Sequence, residues 1–164
     1  MKSVVLAFIA LAALLQAVQA GTVVFIRVGL GGTGVSGNAE GWQAYSAFPA
    51  CKDALEWMWV DTEDASGYGV RCEGDGCDRN DESDPTKIEV LEMNFDNGAN
   101  HWTYYKNRDG ALVTVKGKKV GTCAPVVPRA LDCGLTIGKV VGYSKLRCEI
   151  DGVSAEKIES LRKD

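Results

Sequence analysis

The chain has 164 residues, of which 46% are hydrophobic, 18 are basic and 22 are acidic. This length suits one domain with one core, which excludes separate cofactor-binding and substrate-binding domains. No segment has the roughly 20 consecutive apolar residues that a membrane-spanning helix needs, so we expect no membrane span.

The first 20 residues have the pattern of a secretory signal peptide. Lys2 supplies a positive charge, VVLAFIALAALL is an apolar stretch of 12 residues, and Val18 and Ala20 stand at the −3 and −1 positions of a cleavage site. We predict cleavage before Gly21, so that residues 21–164 form one secreted domain. An uncleaved anchor is the alternative, but the apolar stretch is shorter than a bilayer requires.

The secreted chain opens with TVVFIRV, a β-branched and aromatic run that predicts a strand ending at about Val28. Residues 29–34, GLGGTG, then have the G-x-G-x-x-G spacing of a dinucleotide-binding turn. Such a turn requires a helix that opens at the third glycine, whereas Gly37 and Gly41 follow here and make a helix unfavourable. We therefore predict a connecting loop to about Gly41 and no nucleotide cofactor.

Residues 48–60, FPACKDALEWMWV, favour the main helix of the protein. Pro49 lies near the first turn, and charged side chains fall opposite an apolar face at helical spacing. The residues of that apolar face are Cys51, Leu55, Met58 and Trp59.

An acidic loop, EGDGCDRNDESDP, follows the short predicted strand YGVRC. Asp78, Asn80, Glu82 and Glu89 fall at positions 1, 3, 5 and 12 of a calcium-binding loop. However, Ser83 replaces the glycine needed at position 6, and the strand-like KIEVLEMNF follows in place of a helix. We expect a solvated acidic loop and no metal site, with loose calcium binding as the alternative.

The clearest hairpin signals lie between Asn100 and Cys123. Asp109-Gly110 has the chemistry of a type I′ turn, and Lys116-Gly117 is a second turn candidate. KVVGYSKLRCEI predicts a last core strand, and SAEKIESLRKD predicts a terminal helix with Ser154 as its N-cap. One main helix among at least five strands predicts an α+β fold, in which the helix packs on an antiparallel sheet stapled by disulfides. An all-β sandwich is the alternative.

The even number of cysteines in a chain predicted to be secreted indicates three disulfides, for which 15 pairings are possible. We expect Cys72 and Cys77 to close a local loop, and Cys51 to pair with a cysteine of a C-terminal strand. A zinc site is disfavoured because there is no C-x-x-C pair and only one histidine. The six cysteines are Cys51, Cys72, Cys77, Cys123, Cys133 and Cys148.

Charge is distributed unevenly along the chain. Residues 61–96 contain 12 acidic and three basic side chains, and residues 103–148 contain nine basic and two acidic ones. The basic half could attract a negatively charged partner. The simpler interpretation, which we favour, is that the two halves face each other or form solvated surfaces.

His101 is the only histidine, so any histidine-dependent acid–base chemistry must use it. Secreted ribonucleases and other phosphodiesterases can pair one histidine with a glutamate and an arginine. Glu89 or Glu92, with Arg108 or Arg147, could supply those groups. The simpler interpretation is that His101 is a partly exposed residue at the start of a strand.

Six aromatic side chains could form a carbohydrate-binding platform, but in so small a domain we expect each to pack in the core or on a sheet face. They are Trp42, Trp57, Trp59, Trp102, Tyr104 and Tyr105.

The layout of the chain resembles that of small cysteine-rich secreted proteins of filamentous fungi, many of which are candidate effectors. The resemblance depends on the leader MKSVVLAFIALAALLQAVQA, the six cysteines and the hairpin DGALVTVKGKKVGTC. It implies a monomer that acts outside the producing cell by binding a host protein or a cell-wall component. Some such effectors resemble ribonucleases in fold without the catalytic residues. The sequence hypotheses are therefore an effector or elicitor that acts by binding and, second, a small hydrolase of nuclease type that uses His101.

Overall fold

A computed structural model describes residues 20–31, 38–54, 59–80, 83–96, 98–134, 136 and 138–161. The predicted signal peptide lies outside the described residues, except for Ala20.

The described chain is built from ten strands and one short α-helix. The strands are β1 (Ala20–Gly31), β2 (Ala39–Tyr45), β3 (Trp59–Val60), β4 (Gly69–Glu73), β5 (Val90–Asn94), β6 (His101–Tyr105), β7 (Ala111–Thr114), β8 (Lys119–Pro125), β9 (Ala130–Gly134) and β10 (Lys139–Asp151). The helix α1 spans Ala155–Glu159, and single 3₁₀ turns span Cys51–Asp53, Asp75–Cys77, Pro85–Lys87 and Lys106–Arg108.

The strands form one antiparallel sheet that curls into a nearly closed barrel. Their order is β3-β2-β1-β10-β8-β7-β6-β5-β4, with β9 paired to β10 outside this path. The two ends of the sheet meet through a single parallel bridge between Asp61 and Val70. A barrel of this kind covers most of the strand edges that an open sheet would expose.

The predicted α+β fold with one main helix is wrong, and so is the alternative of two packed sheets. Of residues 48–60 the structure describes 48–54 and 59–60, and among these the only helical turn is the 3₁₀ turn Cys51–Asp53, after which Ala54 already has extended backbone angles. Trp59 lies in β3, is paired with Trp42 of β2 and is 1% exposed. Burial of this indole inside the barrel therefore outweighs the helical spacing of the apolar residues around it. Leu55 and Met58 lie outside the described residues.

Other predicted elements are confirmed with changed limits. β1 continues beyond Val28 through Gly31, and its glycines are paired with β10 on one side and, up to Leu30, with β2 on the other. The predicted loop from residue 29 to about Gly41 is wrong at both ends, because residues 29–31 belong to β1 and β2, which was not predicted, begins at Ala39; residues 32–37 of that loop lie outside the described residues. The hairpin between β6 and β7 turns at Asp109-Gly110 as predicted, with positive φ angles of 51° and 70°. The connection is longer than the predicted two-residue type I′ turn, because residues 106–110, including the 3₁₀ turn Lys106–Arg108, separate the paired Tyr105 and Ala111.

The terminal helix also forms as predicted. α1 is short, and its N-cap Ser154 accepts a hydrogen bond from the backbone N–H of Lys157. Burial of Ala155 and Ile158 in the main core fixes the helix at one end of the barrel.

Aromatic side chains fill the interior of the barrel. The Phe95 ring lies 4.6 Å from that of Trp59, 5.9 Å from that of Trp102 and 6.4 Å from that of Phe25, measured between centroids. The prediction that the aromatics pack in the core is confirmed for four of the six, each at most 2% exposed: Trp42, Trp59, Trp102 and Tyr104. Tyr105 is only partly buried, and Trp57 lies outside the described residues.

All six cysteines are paired, as predicted. Cys72–Cys77 closes the expected local loop, and Cys51 pairs with Cys133 on β9, a strand of the C-terminal third. The third disulfide, Cys123–Cys148, joins directly opposed residues of β8 and β10.

A bulge in β10 buries a lysine. The register with β1 passes from Phe25–Leu146 to Ile26–Ser144, so Lys145 has no partner on β1. Its side chain is fully buried, and its ammonium donates hydrogen bonds to Oγ of Ser83 at 2.9 Å and to the Ser83 carbonyl at 3.3 Å. A lysine of the basic half, residues 103–148, is therefore hydrogen-bonded to the acidic segment, residues 61–96.

A second buried cation, Arg27 of β1, also contacts the acidic segment. Its guanidinium donates to the carbonyls of Cys77 and Gly41 and forms ion pairs with Glu40 at 3.1 Å and Asp61 at 3.0 Å. Arg27 lies outside the basic half, so its contacts do not test whether the two charged halves face each other; among the described residues, the ion pair that joins those halves is Lys106 with Glu89.

Candidate functional site

One row of side chains crosses the outer side of five adjacent strands, with a register irregularity between β7 and β8 and with two of its members, Thr103 and Val113, only 7% and 8% exposed. Buried residues such as Leu91, Met93 and Leu112 alternate with the row and face the core. We call this set the outer row, and its members from β4 to β8 are Arg71, Glu92, Thr103, Val113 and Lys119.

His101 lies beside the outer row and binds its glutamate. Nε2 of His101 lies 2.9 Å from Oε1 of Glu92, and Nε of Arg71 lies 2.9 Å from the other carboxylate oxygen. Arg71 also pairs with Glu73 on its own strand. The antiparallel register explains why Arg71, Glu92 and His101 form a cluster, because Arg71 is directly opposite Glu92 and His101 is diagonal to Glu92.

The environment keeps the Glu92 carboxyl ionised. Burial would raise its pKa, but hydrogen bonds from His101 and Arg71, and their charges, outweigh burial and hold the pKa below the ordinary 4.5. A carboxylate can only accept hydrogen bonds, so Nε2 of His101 carries the proton that points to Glu92. In a neutral ring, Nδ1 is then the nitrogen able to accept a proton.

The histidine and the glutamate are poorly accessible to a substrate. Only 12% of the His101 side chain and 19% of the Glu92 side chain are exposed. A pocket of about 380 Å³ lies next to Arg71, but its lining is mainly acidic and does not include His101; it consists of Asp61, Thr62, Glu63, Arg71, Cys72 and Glu73. The cluster orients one imidazole, and it places no second acid–base group opposite that imidazole within the described residues.

The structure brings together only part of the predicted catalytic set. Glu92 meets His101, but Glu89 pairs with Lys106 at 2.7 Å, at the far end of β5 and β6. Arg108 lies 4.3 Å from the centroid of the Tyr105 ring, also at that far end.

Arg147, on β10, pairs with Glu149 at 3.2 Å and is likewise remote from His101. The arginine that completes the cluster is Arg71, which sequence reasoning missed. Arg71 lies in the predicted strand YGVRC, which indicated that it belongs to the sheet. The residue opposite it depends on the order of the strands, which the sequence does not show.

Most cations of the basic half have a defined partner. Lys106 and Arg147 are paired as described, Lys139 pairs with Asp132, Lys145 holds Ser83, and Arg108 and Arg129 stack over Tyr105 and Phe48. Within the basic half, three exposed lysines form no ion pair among the described residues: Lys116, Lys118 and Lys119. Three more exposed lysines outside it, Lys52, Lys87 and Lys157, also form none, but they lie far apart in the chain.

Lys116 and Lys118 lie in the turn between β7 and β8, and Lys119 is the first residue of β8. We call residues 115–119 the lysine tip. The turn is held by backbone hydrogen bonds from Gly117 to Thr114 at 2.8 Å and from Thr114 to Lys118 at 2.9 Å. Gly117 has a φ of 77°, a conformation that favours glycine. The tip therefore presents its side chains from a defined backbone.

No group of three or more histidine, cysteine, aspartate or glutamate side chains is arranged to hold a metal ion among the residues that the structure describes. Glu82, one of the four residues with calcium-loop spacing, lies outside them. The described part of the chain also contains no helix with the length and apolar character needed to cross a membrane.

Comparisons of the chain with protein-family models, curated proteins and solved structures find no match.

Proposed function

We propose that the chain is a secreted interaction protein of the effector or elicitor type, which binds a host protein or cell-wall component through the outer face of its barrel. The observation that carries this proposal is the filled interior. Trp42, Trp59, Trp102 and Tyr104 are almost completely buried there, together with aliphatic side chains from most of the strands. A barrel packed in this way leaves its outer surface as the part available to a partner.

The disulfides support action outside the cell. Bridges that persist are typical of extracellular proteins, and all six cysteines are used in three bridges. They join β9 to the segment after β2, β8 to β10, and the two ends of one acidic loop. Each bridge thereby links two parts of the barrel and stabilises it.

A second candidate function is a hydrolase of nuclease type that uses His101. The specific observation in its favour is the contact of His101 with Glu92, which in turn binds Arg71. In this mechanism Nδ1 of His101 would accept or donate the transferred proton, and Glu92 would fix the orientation of the ring. We rank this function second because His101 and Glu92 are poorly exposed and because no second acid–base group lies opposite His101 among the described residues.

The experiment that tests the proposal uses residues 21–164 with intact disulfides. Binding to host cell-wall fractions and extracellular proteins is measured by equilibrium depletion, in parallel with turnover of RNA and glycans. A reduced and alkylated sample is the matched control, because it has the same composition but lacks the folded surface.

We expect saturable binding by the native protein, no binding by the alkylated control and no turnover. Equal binding by both samples would contradict the proposal. Turnover that is lost in His101→Ala and reduced in Glu92→Gln would replace it with the hydrolase.

A further inference from the structure

We propose that the lysine tip is the docking site for an anionic polysaccharide. The inference rests on the proposed function, because it names a class of cell-wall component that the outer face would bind. Its recognition elements are the ammonium groups of Lys116, Lys118 and Lys119.

The charge of the tip is not neutralised within the described chain. The secreted part of the chain has 17 basic and 22 acidic residues, a net charge of −5, once Lys2 is removed. Even so, three exposed lysines within four residues make no ion pair among the described residues, whereas Lys106, Lys139 and Arg147 each contact a carboxylate. A local positive field on an acidic protein attracts a polyanion while the rest of the surface repels it.

The backbone of the tip is also held in one conformation. Oγ1 of Thr114 accepts a hydrogen bond from the Lys118 amide, in addition to the backbone bonds across the turn. Val115, at the start of the tip, is 64% exposed and adds a small apolar contact. A rigid turn loses little backbone entropy when it binds, which favours affinity.

The neighbourhood of the tip favours a polysaccharide over a nucleic acid. Nucleic-acid-binding surfaces that read single strands combine basic residues with exposed aromatic rings on which bases stack. Residues 115–119 contain no aromatic side chain, and Trp102 of the adjacent strand is 2% exposed. Lysine ammonium groups, by contrast, act as flexible point donors to carboxylate or sulfate groups and do not require bases.

The test measures binding of residues 21–164 to polygalacturonate, dextran sulfate, single-stranded RNA and duplex RNA. The variant is Lys116→Gln/Lys118→Gln/Lys119→Gln. The matched control carries the same substitution at three exposed lysines elsewhere, Lys52, Lys87 and Lys157, and so has the same net charge.

If binding releases about 0.7–0.9 counterions per lysine, as for nucleic acids, three contacts predict a wild-type affinity that falls about 20- to 40-fold between 50 and 200 mM salt. We expect the control to keep this dependence and the tip variant to lose it, together with at least about tenfold of the affinity at 50 mM.

Three results would overturn the inference: equal losses in the two variants, tighter binding of either RNA than of both polysaccharides, or no binding to any polyanion. If the wild type still binds a cell-wall fraction in that last case, the proposed function stands and only the docking site fails. If it binds nothing in either experiment, both fail.

Discussion

Removal of the buried charge of Lys145 should change the pH dependence of stability in a defined window. Burial and, to a smaller extent, nearby Arg27 lower the pKa of Lys145, Asp78 and Asp84 act in the opposite direction, and the net result is a pKa lowered from 10.5 to about 8. Between pH 8 and 10.5, the unfolded chain therefore binds a proton that the folded chain has released. Stability rises with pH wherever the unfolded state holds more protons.

The size of the effect follows from the two pKa values. A difference of one pKa unit corresponds to about 1.4 kcal/mol, so this lysine contributes a rise of about 2–3 kcal/mol in unfolding free energy between pH 7 and pH 10. Lys145→Met keeps a side chain of similar length and removes the titration. We expect the rise to be smaller in the variant by about that amount.

The assay is urea unfolding at pH 7, 8, 9 and 10, followed by tryptophan fluorescence because Trp42, Trp59 and Trp102 are buried. Lys52→Met, at an exposed lysine, is the control and should retain the wild-type profile. Parallel profiles for wild type and Lys145→Met would refute the reasoning, since they would mean that Lys145 titrates alike in both states.

Two further predictions concern the outer row and the disulfides. Because the pKa of Glu92 is lowered on folding, its contribution is present above the unfolded value and is lost as pH falls through the folded value. Glu92→Gln should therefore cost about 1 kcal/mol in urea unfolding at pH 7 and less at pH 3, below the unfolded value; an equal cost at both would contradict the ionised pair. The stabilisation by a disulfide increases with the length of the loop that it closes. Replacing Cys51 and Cys133, which are 82 residues apart, with alanine should lower the unfolding free energy by about 4–5 kcal/mol. The same replacement of Cys72 and Cys77, which are five residues apart, should lower it by about 2 kcal/mol. Guanidinium unfolding of the two variants checks the order, and a larger loss for the local bridge would refute it.

Local patterns were sufficient to predict several strands and turns. Alternation of apolar residues identified β5, and the Asp109-Gly110 pair identified a hairpin turn, because both signals are contained in a few consecutive residues. The helical spacing around Trp59 was misleading since this residue is held by Trp42, which is distant along the chain. The curvature of the sheet likewise depends on contacts between distant strands.

The candidate site was predictable only in part for the same reason. Position on the outer face follows from alternation, so Glu92 and His101 could be expected near each other on adjacent strands. The approach of Arg71 depends on β4 pairing with β5, and the burial of Lys145 depends on a bulge that appears only when β10 is aligned with β1. Neither pairing is encoded in a local motif.

The most direct test of the account is a map of backbone amide chemical shifts for residues 21–164, recorded by NMR with and without the cell-wall component that binds most tightly. We expect the chemical shifts that change on binding to lie mainly at Val113, at the lysine tip and at His101 and Thr103 on the adjacent strand. Chemical-shift changes confined to Gly29–Gly31 and β2, with none at the lysine tip or the outer row, would contradict binding through the lysine tip.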